Sequence, residues 1–229
     1  MTASAQPRRD VCVIIPCYNE ARTIARLIRA VKAHVTDVLV IDDCSTDGTA
    51  AQARAAGAII LSHARNMGKG VALKTGFTAA AKMKFKAAIT LDGDGQHDST
   101  EIPLFIEAYD RGNCALVIGN RMNDTRTMPR VRRITNRFSS WVISRMVGVP
   151  ISDTQCGFRL IGLDFWQAVR LDSSRFDLES EILIKACRSG ARISQVQIRT
   201  IYFGTDESKI NPVLDTLRFF QLLWRCRNA

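Results

Sequence analysis

The chain has 229 residues, 46% of them apolar and 24% charged, with a net charge of +10. That length and balance fit one globular domain; no apolar run approaches the ~18 residues of a membrane span, and the opening MTASAQPRRD lacks the hydrophobic region of a signal peptide. Seven cysteines without a CxxC pair argue against a disulfide framework or a zinc site and for a reducing, cytoplasmic compartment.

Residues 1–10 read as a flexible tail. Val11 to Pro16 is a continuous apolar run closed by proline, the pattern of a buried parallel strand. Asn19 stands where it would cap a helix carrying Ile24, Leu27, Ile28 and Val31 at helical spacing. Val38 to Ile41 is a second strand ending in Asp42 and Asp43, and Asp47-Gly48-Thr49 opens an alanine-rich helix. Ile59 to Leu61 gives a third strand, Val71 to Met83 a helix, and Ala87 to Leu91 a fourth strand. Asp98 with Glu101 resembles a capping box for a helix over Ile102 to Tyr109, and Ala115 to Ile118 is a fifth strand. This alternation predicts an α/β fold, a doubly wound and mostly parallel sheet with helices on both faces.

The second half is less regular. Ile134 to Val149 mixes apolar and basic residues in the manner of a helix lying against a surface. Phe158 to Ile161 and Ile193 to Tyr202 read as strands, and Glu179 to Cys187 as a helix. Residues 211–229 form a C-terminal amphipathic helix, with Leu, Phe and Trp beside Arg218 and Arg225, packed on the domain, on a second subunit or at a membrane surface.

Ligands of such sheets bind beyond the carboxyl ends of the strands. Glu20, Asp42, Asp43, Asp92, Asp94 and Arg121 all fall there. In LDGDGQHD, Asp92 and Asp94 share a face, with Gly93 and Gly95 adding no bulk. Two carboxylates there make a hard-cation site with room for a phosphate, and magnesium or manganese holding a diphosphate is its simplest use.

Asp43 reads as a ligand for a base or ribose in preference to an Asx-turn or cap, whereas for Asp47 the two readings are level. Lys69, between Gly68 and Gly70, is balanced between a phosphate or base contact and a solvated lysine. His97 reads as a satisfied helix-start residue before a metal neighbour; His34 and His63 carry no signal. Between Arg111 and Arg145 there are eight arginines, no lysine and a single acid, Asp124. That pattern points to bidentate recognition of phosphates, against the plainer reading of a solvated basic loop.

Other motifs fail on inspection. The GK of Asn66-Met67-Gly68-Lys69-Gly70 lacks the first glycine and the Ser/Thr of a P-loop. The acidic run at Asp92 departs from a calcium loop at His97 and Pro103. There is no GxSxG, and the turn after the first strand is CYNEAR where a dehydrogenase needs GxGxxG.

The surviving motifs form a pattern. Pro16-x-Tyr18-Asn19-Glu20, the DDCSTDGT run from Asp42, Asn66-x-Gly68-Lys69-Gly70 and DGDGQ from Asp92 to Gln96 resemble glycosyltransferase family 2, with its GT-A fold. Gly119-Asn120-Arg121, Asp153-x-x-x-Gly157-Phe158-Arg159, Phe176-x-x-Glu179 and Ser208-Lys209 look like the dolichyl- and polyprenyl-phosphate sugar synthases, so the resemblance spans Val11 to Lys209. It implies a GT-A domain over residues 11–210. It also implies that Asp92, Asp94 and Gln96 hold Mg2+ or Mn2+ on the diphosphate of a nucleotide sugar. Pro16, Tyr18, Glu20 and Asp43 would line the nucleoside pocket with Lys69 nearby. Arg121, joined by Arg133 and Lys209, would meet the diphosphate or the acceptor phosphate, making Asp94, Arg121, Arg133 and Lys209 the catalytic set. Many mannose-type synthases carry an arginine six residues before the lysine, where this chain has Phe203; Arg199 lies four residues earlier.

The resemblance thus implies an inverting, metal-dependent hexosyltransferase acting from a nucleotide-sugar donor onto a polyprenyl phosphate, with peripheral contact at the cytoplasmic membrane face. A family 2 enzyme using a hydroxyl acceptor is the alternative. Nucleic-acid binding through the positive charge is the remaining reading, and no recognition helix or aromatic stacking motif accompanies it.

Overall fold

The computed structural model describes residues 6–123, 125–126, 128–172, 177–199, 221 and 223. In chain order the first half runs β1 (Arg8–Cys17), α1 (Ile24–Val31), β2 (Val35–Asp42), α2 (Thr49–Ala55), β3 (Ile59–Ser62), α3 (Lys69–Lys82) and β4 (Ala87–Thr90). A 3-10 turn (Ser99–Glu101) then leads into α4 (Ile102–Gly112) and β5 (Leu116–Asn120). After these come α5 (Arg130–Val147), β6 (Arg159–Gly162), α6 (Leu163–Ala168), α7 (Leu178–Arg188) and β7 (Ile193–Gln197).

The strands form one sheet in the order β3-β2-β1-β4-β6-β5-β7. β6 runs antiparallel to β4 and β5, and every other pairing is parallel. Val11 to Ile15, Val38 to Ile41 and Ala87 to Ile89 are buried, as continuous apolar strands covered on both faces must be. Helix α3 lies directly on this centre. A Cβ at Gly76 would sit 2.5 Å from Ile14 Cγ2, so only glycine lets the helix approach β1 this closely.

Chain order reverses at β1. The chain winds outward through β2 and β3 on one side and resumes with β4 on the other. The crevice beyond the carboxyl ends of β1 and β4 is therefore a topological switch point, where open α/β sheets take their ligands.

Several expectations need correction. Arg8–Asp10 belong to β1 and not to a tail: Arg8 N–H donates to His34 O, and its guanidinium spans Asp10 and Asp110. Asn19 does not cap α1, which starts at Ile24 behind Thr23; its side chain accepts from Thr46 N–H. Only half of the capping box forms, because Asp98 accepts from Thr100 N–H while Glu101 accepts from Arg199 N–H. β7 ends at Gln197, short of the expected Tyr202, and Tyr202 itself lies outside the described residues. So do Phe176, Phe203, Ser208, Lys209 and nearly all of the expected C-terminal helix.

Candidate active site

Two loops meet at the switch point. After β1, residues 18–21 are locked to residues 45–49: Asn19 N–H donates to Ser45 Oγ, Glu20 N–H to Thr49 Oγ1, and Ala21 N–H to Asp47 Oδ2. Asp47 also accepts from Thr49 N–H, so its role is to hold the turn. After β4, Thr23 Oγ1 donates to Gly93 O at 2.6 Å, fastening the acidic loop to the start of α1. A Cβ at Gly93 would sit 3.2 Å from Glu20 Cγ, so Glu20 lies against Asp92-Gly93-Asp94. Pro16 is half-buried on the same rim, and Tyr18 is exposed.

Asp92 is held by Lys69 and His97. Lys69 Nζ lies 2.6 Å from its Oδ1, and His97 Nε2 lies 3.5 Å from its Oδ2. Burial opposes ionisation of Asp92, but Lys69 and then His97 outweigh it and hold the carboxyl well below the usual range. Asp94 moves the other way. Burial, reinforced by the charge on Asp92, raises it above the ordinary value, although Gln96 N–H donates to its Oδ1. Two carboxylates that repel each other are suited to a shared cation.

Lys69 also stands 3.3 Å from Glu179 Oε1, an ion pair without the alignment of a hydrogen bond. Its ammonium is shifted upward: burial lowers it, and Asp92 and Glu179 together reverse that effect. Gly157 closes the cradle. A Cβ there would fall 2.8 Å from Asp92 Oδ2 and 3.1 Å from Lys69 Nζ, so the glycine backbone faces the charged pair directly. Thr90 Oγ1 holds the Gly157 carbonyl at 2.6 Å. Buried Arg159 donates to Cys156 O, Thr154 O and Glu179 O, tying the 154–157 loop to the start of α7.

The donor set fits a hard divalent cation. Among the described residues no three His, Cys, Asp or Glu side chains converge as a complete metal cage. Magnesium-type sites commonly use one or two carboxylates and take the remaining ligands from water and substrate phosphates. Asp92 and Asp94 meet that requirement.

Asp43 faces a different way from the expected ligand role. Its carboxylate is buried and accepts from His63 Nδ1 (2.7 Å), Met67 N–H (2.9 Å) and Gly68 N–H (2.7 Å), the tautomer with hydrogen on Nδ1 being required. His63 Nε2 then meets Thr75 Oγ1 at 3.0 Å. Asp43 thereby fixes the loop that presents Lys69 at the start of α3.

Arg121 is likewise engaged. Its Nε and Nη2 donate to Asp153 Oδ2 and Oδ1 at 2.7 and 2.9 Å, its backbone N–H also reaches Oδ2, and Asn136 Nδ2 donates to Oδ1 at 2.7 Å. Arg133 lies half-buried in the first turn of α5, and no hydrogen bond or ion pair between described residues joins it to Asp92, Asp94 or Arg121.

The site thus assembles Asp92, Asp94, Gln96, Lys69 and Glu20 and turns Asp43 and Arg121 toward internal partners. Sequence reasoning missed His63 as a support for Asp43 and Glu179 beside Lys69, and it ranked His97 as a neighbour of the metal site second to the helix-start reading. His97 is buried with its Nδ1 unpaired, not satisfied as expected. The usable signal for His63 was its place just beyond β3, at the same end of the sheet as the acids.

Residues 12–162, more than half of the chain, match the profile described as glycosyl transferase family 2. An undecaprenyl-phosphate mannosyltransferase of Micrococcus luteus is 31% identical over 88% of this chain and 87% of its own length. A UDP-N-acetylglucosamine–dolichyl-phosphate N-acetylglucosaminyltransferase of Methanococcus voltae is 26% identical over 93% of this chain and 94% of its own. Glucosyl-3-phosphoglycerate synthase of Mycobacterium tuberculosis, solved with uridine diphosphate, superposes with a TM-score of 0.76 at 21% identity, over 94% of this chain and 79% of that one. That likeness is one of fold, the GT-A fold. The chain belongs to glycosyl transferase family 2 and is a glycosyltransferase, with relatives in the polyprenyl-phosphate sugar synthase branch.

Proposed function

We propose that this glycosyltransferase moves a hexose from a nucleoside-diphosphate sugar to a polyprenyl phosphate with inversion of configuration. The observation that carries the reading is the charged cradle at the β1–β4 switch point, where Asp92 and Asp94 lie beside Lys69 and the bare backbone of Gly157. A magnesium or manganese ion held by Asp92 and Asp94, with Gln96 beside them, would neutralise charge building on the leaving diphosphate. Lys69 adds a fixed positive charge to the same place. Pro16, Tyr18 and Glu20 form the rim on which the nucleoside rests, and Asp43 supports that pocket by holding the 66–68 loop. The names of the relatives in Micrococcus luteus and Methanococcus voltae support a lipid-phosphate acceptor.

An oxygen of the acceptor phosphate attacks the anomeric carbon. The bond from that carbon to the diphosphate breaks, and its electron pair leaves on the diphosphate. A phosphate is already anionic near neutral pH, so the step requires no strong base. Arg121, held by Asp153 through two guanidinium hydrogen bonds, stands within the arginine-rich segment and orients phosphate on the acceptor side, with Arg133 and Lys209 assigned to the same task. The acceptor's hydrocarbon lies in a bilayer, which puts the enzyme at a membrane surface, on the cytoplasmic face where nucleotide sugars are available. Among the described residues no helix is long and apolar enough to cross a membrane.

One observation favours a hydroxyl acceptor instead. Glu179 Oε1 is buried beside Lys69 without a hydrogen bond, so the cradle holds a carboxylate that could take a proton from a hydroxyl. The test is transfer from a panel of nucleotide sugars, with magnesium or manganese, to a short prenyl phosphate and to a prenol. An acid-labile sugar phosphate that Asp94→Ala abolishes and Glu179→Gln leaves largely intact supports the phosphate reading. A glycoside whose formation Glu179→Gln lowers about a hundredfold or more supports the hydroxyl reading. No transfer from any donor refutes both.

A further inference from the structure

Helix α5 is built inside out. Its buried residues include Asn136, Ser139 and Ser140, while Val131, Ile134, Phe138 and Trp141 are 71, 65, 49 and 59% exposed. The inward polar residues have partners: Asn136 donates to Asp153, and Ser140 meets Thr154 Oγ1 and accepts from Thr154 N–H. The outward apolar residues recur at intervals of three and four, so they share one face. Single exposed apolar residues are ordinary, but four large ones in a row on one helix mark an interaction surface.

The charges around that row identify what covers it. Residues 130–147 contain five arginines and no acid. Arg130, Arg137 and Arg145 are exposed, where long side chains can lie along apolar surface and keep their charged ends in a polar layer. A second copy of this face is a poor partner, since a two-fold contact would set arginines against arginines. An interfacial helix on a bilayer has this composition, with aromatic and aliphatic residues entering the acyl boundary and arginines meeting anionic headgroups. We propose that the Val131–Ile134–Phe138–Trp141 face of α5 docks this enzyme on an anionic lipid bilayer.

This inference deepens the lipid-phosphate reading and rests on it for its purpose, although the face is defined by exposure and charge alone. The inner side of α5 leads straight to the site. Asn136 and Arg121 share the Asp153 carboxylate, so the helix that would rest on the headgroups also fixes the guanidinium assigned to the acceptor phosphate.

The test is co-sedimentation of the full chain with vesicles of phosphatidylcholine alone or mixed with phosphatidylglycerol. The wild-type chain is expected to bind mixed vesicles, to ignore neutral ones and to be released by salt. Phe138→Ser with Trp141→Ser should lower the partition coefficient at least about tenfold, and Arg137→Gln with Arg145→Gln about fivefold per charge. Both variants should keep wild-type transfer to a short, water-soluble prenyl phosphate. The proposal is overturned if wild type fails to sediment with mixed vesicles, if it binds neutral vesicles equally, or if either variant keeps its wild-type partition. It is also overturned if light scattering shows a dimer that Phe138→Ser with Trp141→Ser dissociates while vesicle binding is unchanged. Vesicle binding without any transfer to a prenyl phosphate would leave the docking face standing and sink the acceptor assignment.

Discussion

Replacing Asp153 with alanine should cost the protein a large part of its stability. Its carboxylate accepts from Arg121 Nε, Arg121 Nη2, the Arg121 backbone N–H and Asn136 Nδ2. The Asp153 side chain is fully buried and that of Arg121 is 11% exposed, so neither group can turn to water without rearrangement. Removing one partner of such a pair strands the other charge and costs about 3–5 kcal/mol. The orphaned Asn136 amide adds roughly another 1 kcal/mol, overlapping with the first figure. Domains of this size hold about 5–15 kcal/mol in total, so Asp153→Ala should remove at least about a fifth of it. Urea melts of wild type and variant with a common slope measure the loss. Arg121→Met combined with Asp153→Leu removes both charges and should recover most of the stability. If Arg121 serves phosphate chemistry, the double variant melts near wild type yet transfers poorly. A loss below about 1 kcal/mol for Asp153→Ala, or a double variant as weak as the single one, would refute the keystone role.

Three further outcomes follow from the same geometry. Burial opposes the charge on Asp153, but Arg121 and then Asn136 hold its folded pKa below the ordinary value. The stability from this pair should therefore be complete above an unfolded pKa of about 3.9 and fall away as pH drops through the lower folded value; acid melts of Asp153→Ala should lack that decline. Gly157→Ala keeps an ordinary backbone conformation but forces Asp92 Oδ2 back from 2.8 Å. Because a displacement of about 1 Å can cost about a hundredfold, kcat/KM should fall about tenfold with almost no change in Tm, and unchanged kinetics would exclude contact between that loop and the working carboxylate. His63→Ala takes one partner from Asp43 and one from Thr75, so it should cost about 1–2 kcal/mol and weaken binding of nucleoside diphosphate measured by calorimetry. Full affinity in that variant would detach the 66–68 loop from the donor pocket.

The strand ends were legible in the sequence because a strand buried on both faces must be a continuous apolar run, and the polar residue that ends it stands at the ligand crevice. Val11 to Pro16 and Ala87 to Leu91 are such runs, and they deliver Glu20, Asp92 and Asp94 to one place. The direction of a side chain at a strand end was not legible. Asp43 turns into the 66–68 loop because the backbone N–H groups of Met67 and Gly68 lie there, and backbone donors leave no mark in the residue order. Glu179 was quoted only as part of a motif. Its place beside Lys69 depends on Arg159 gathering carbonyls from two segments, a long-range arrangement with no local period.

Helix α5 shows why an apolar pattern alone misleads. The ordinary rule puts its Val, Ile, Phe and Trp inward and its Asn and Ser outward, and read that way the helix would bury the wrong face. The loop beneath it reverses the choice. Asp153 and Thr154 present hydrogen-bonding groups that only Asn136 and Ser140 can meet, and a buried carboxylate left short of donors would cost more than an exposed valine. The polar match therefore decides which side of the helix faces the domain, and the apolar face is left outward as its consequence. Changing Asn136 to leucine separates the two causes. If polar matching orients α5, the variant loses about 2–3 kcal/mol and shifts Arg121, seen as weaker binding of a phosphate acceptor. If apolar packing orients it, leucine at a fully buried position should stabilise the helix instead.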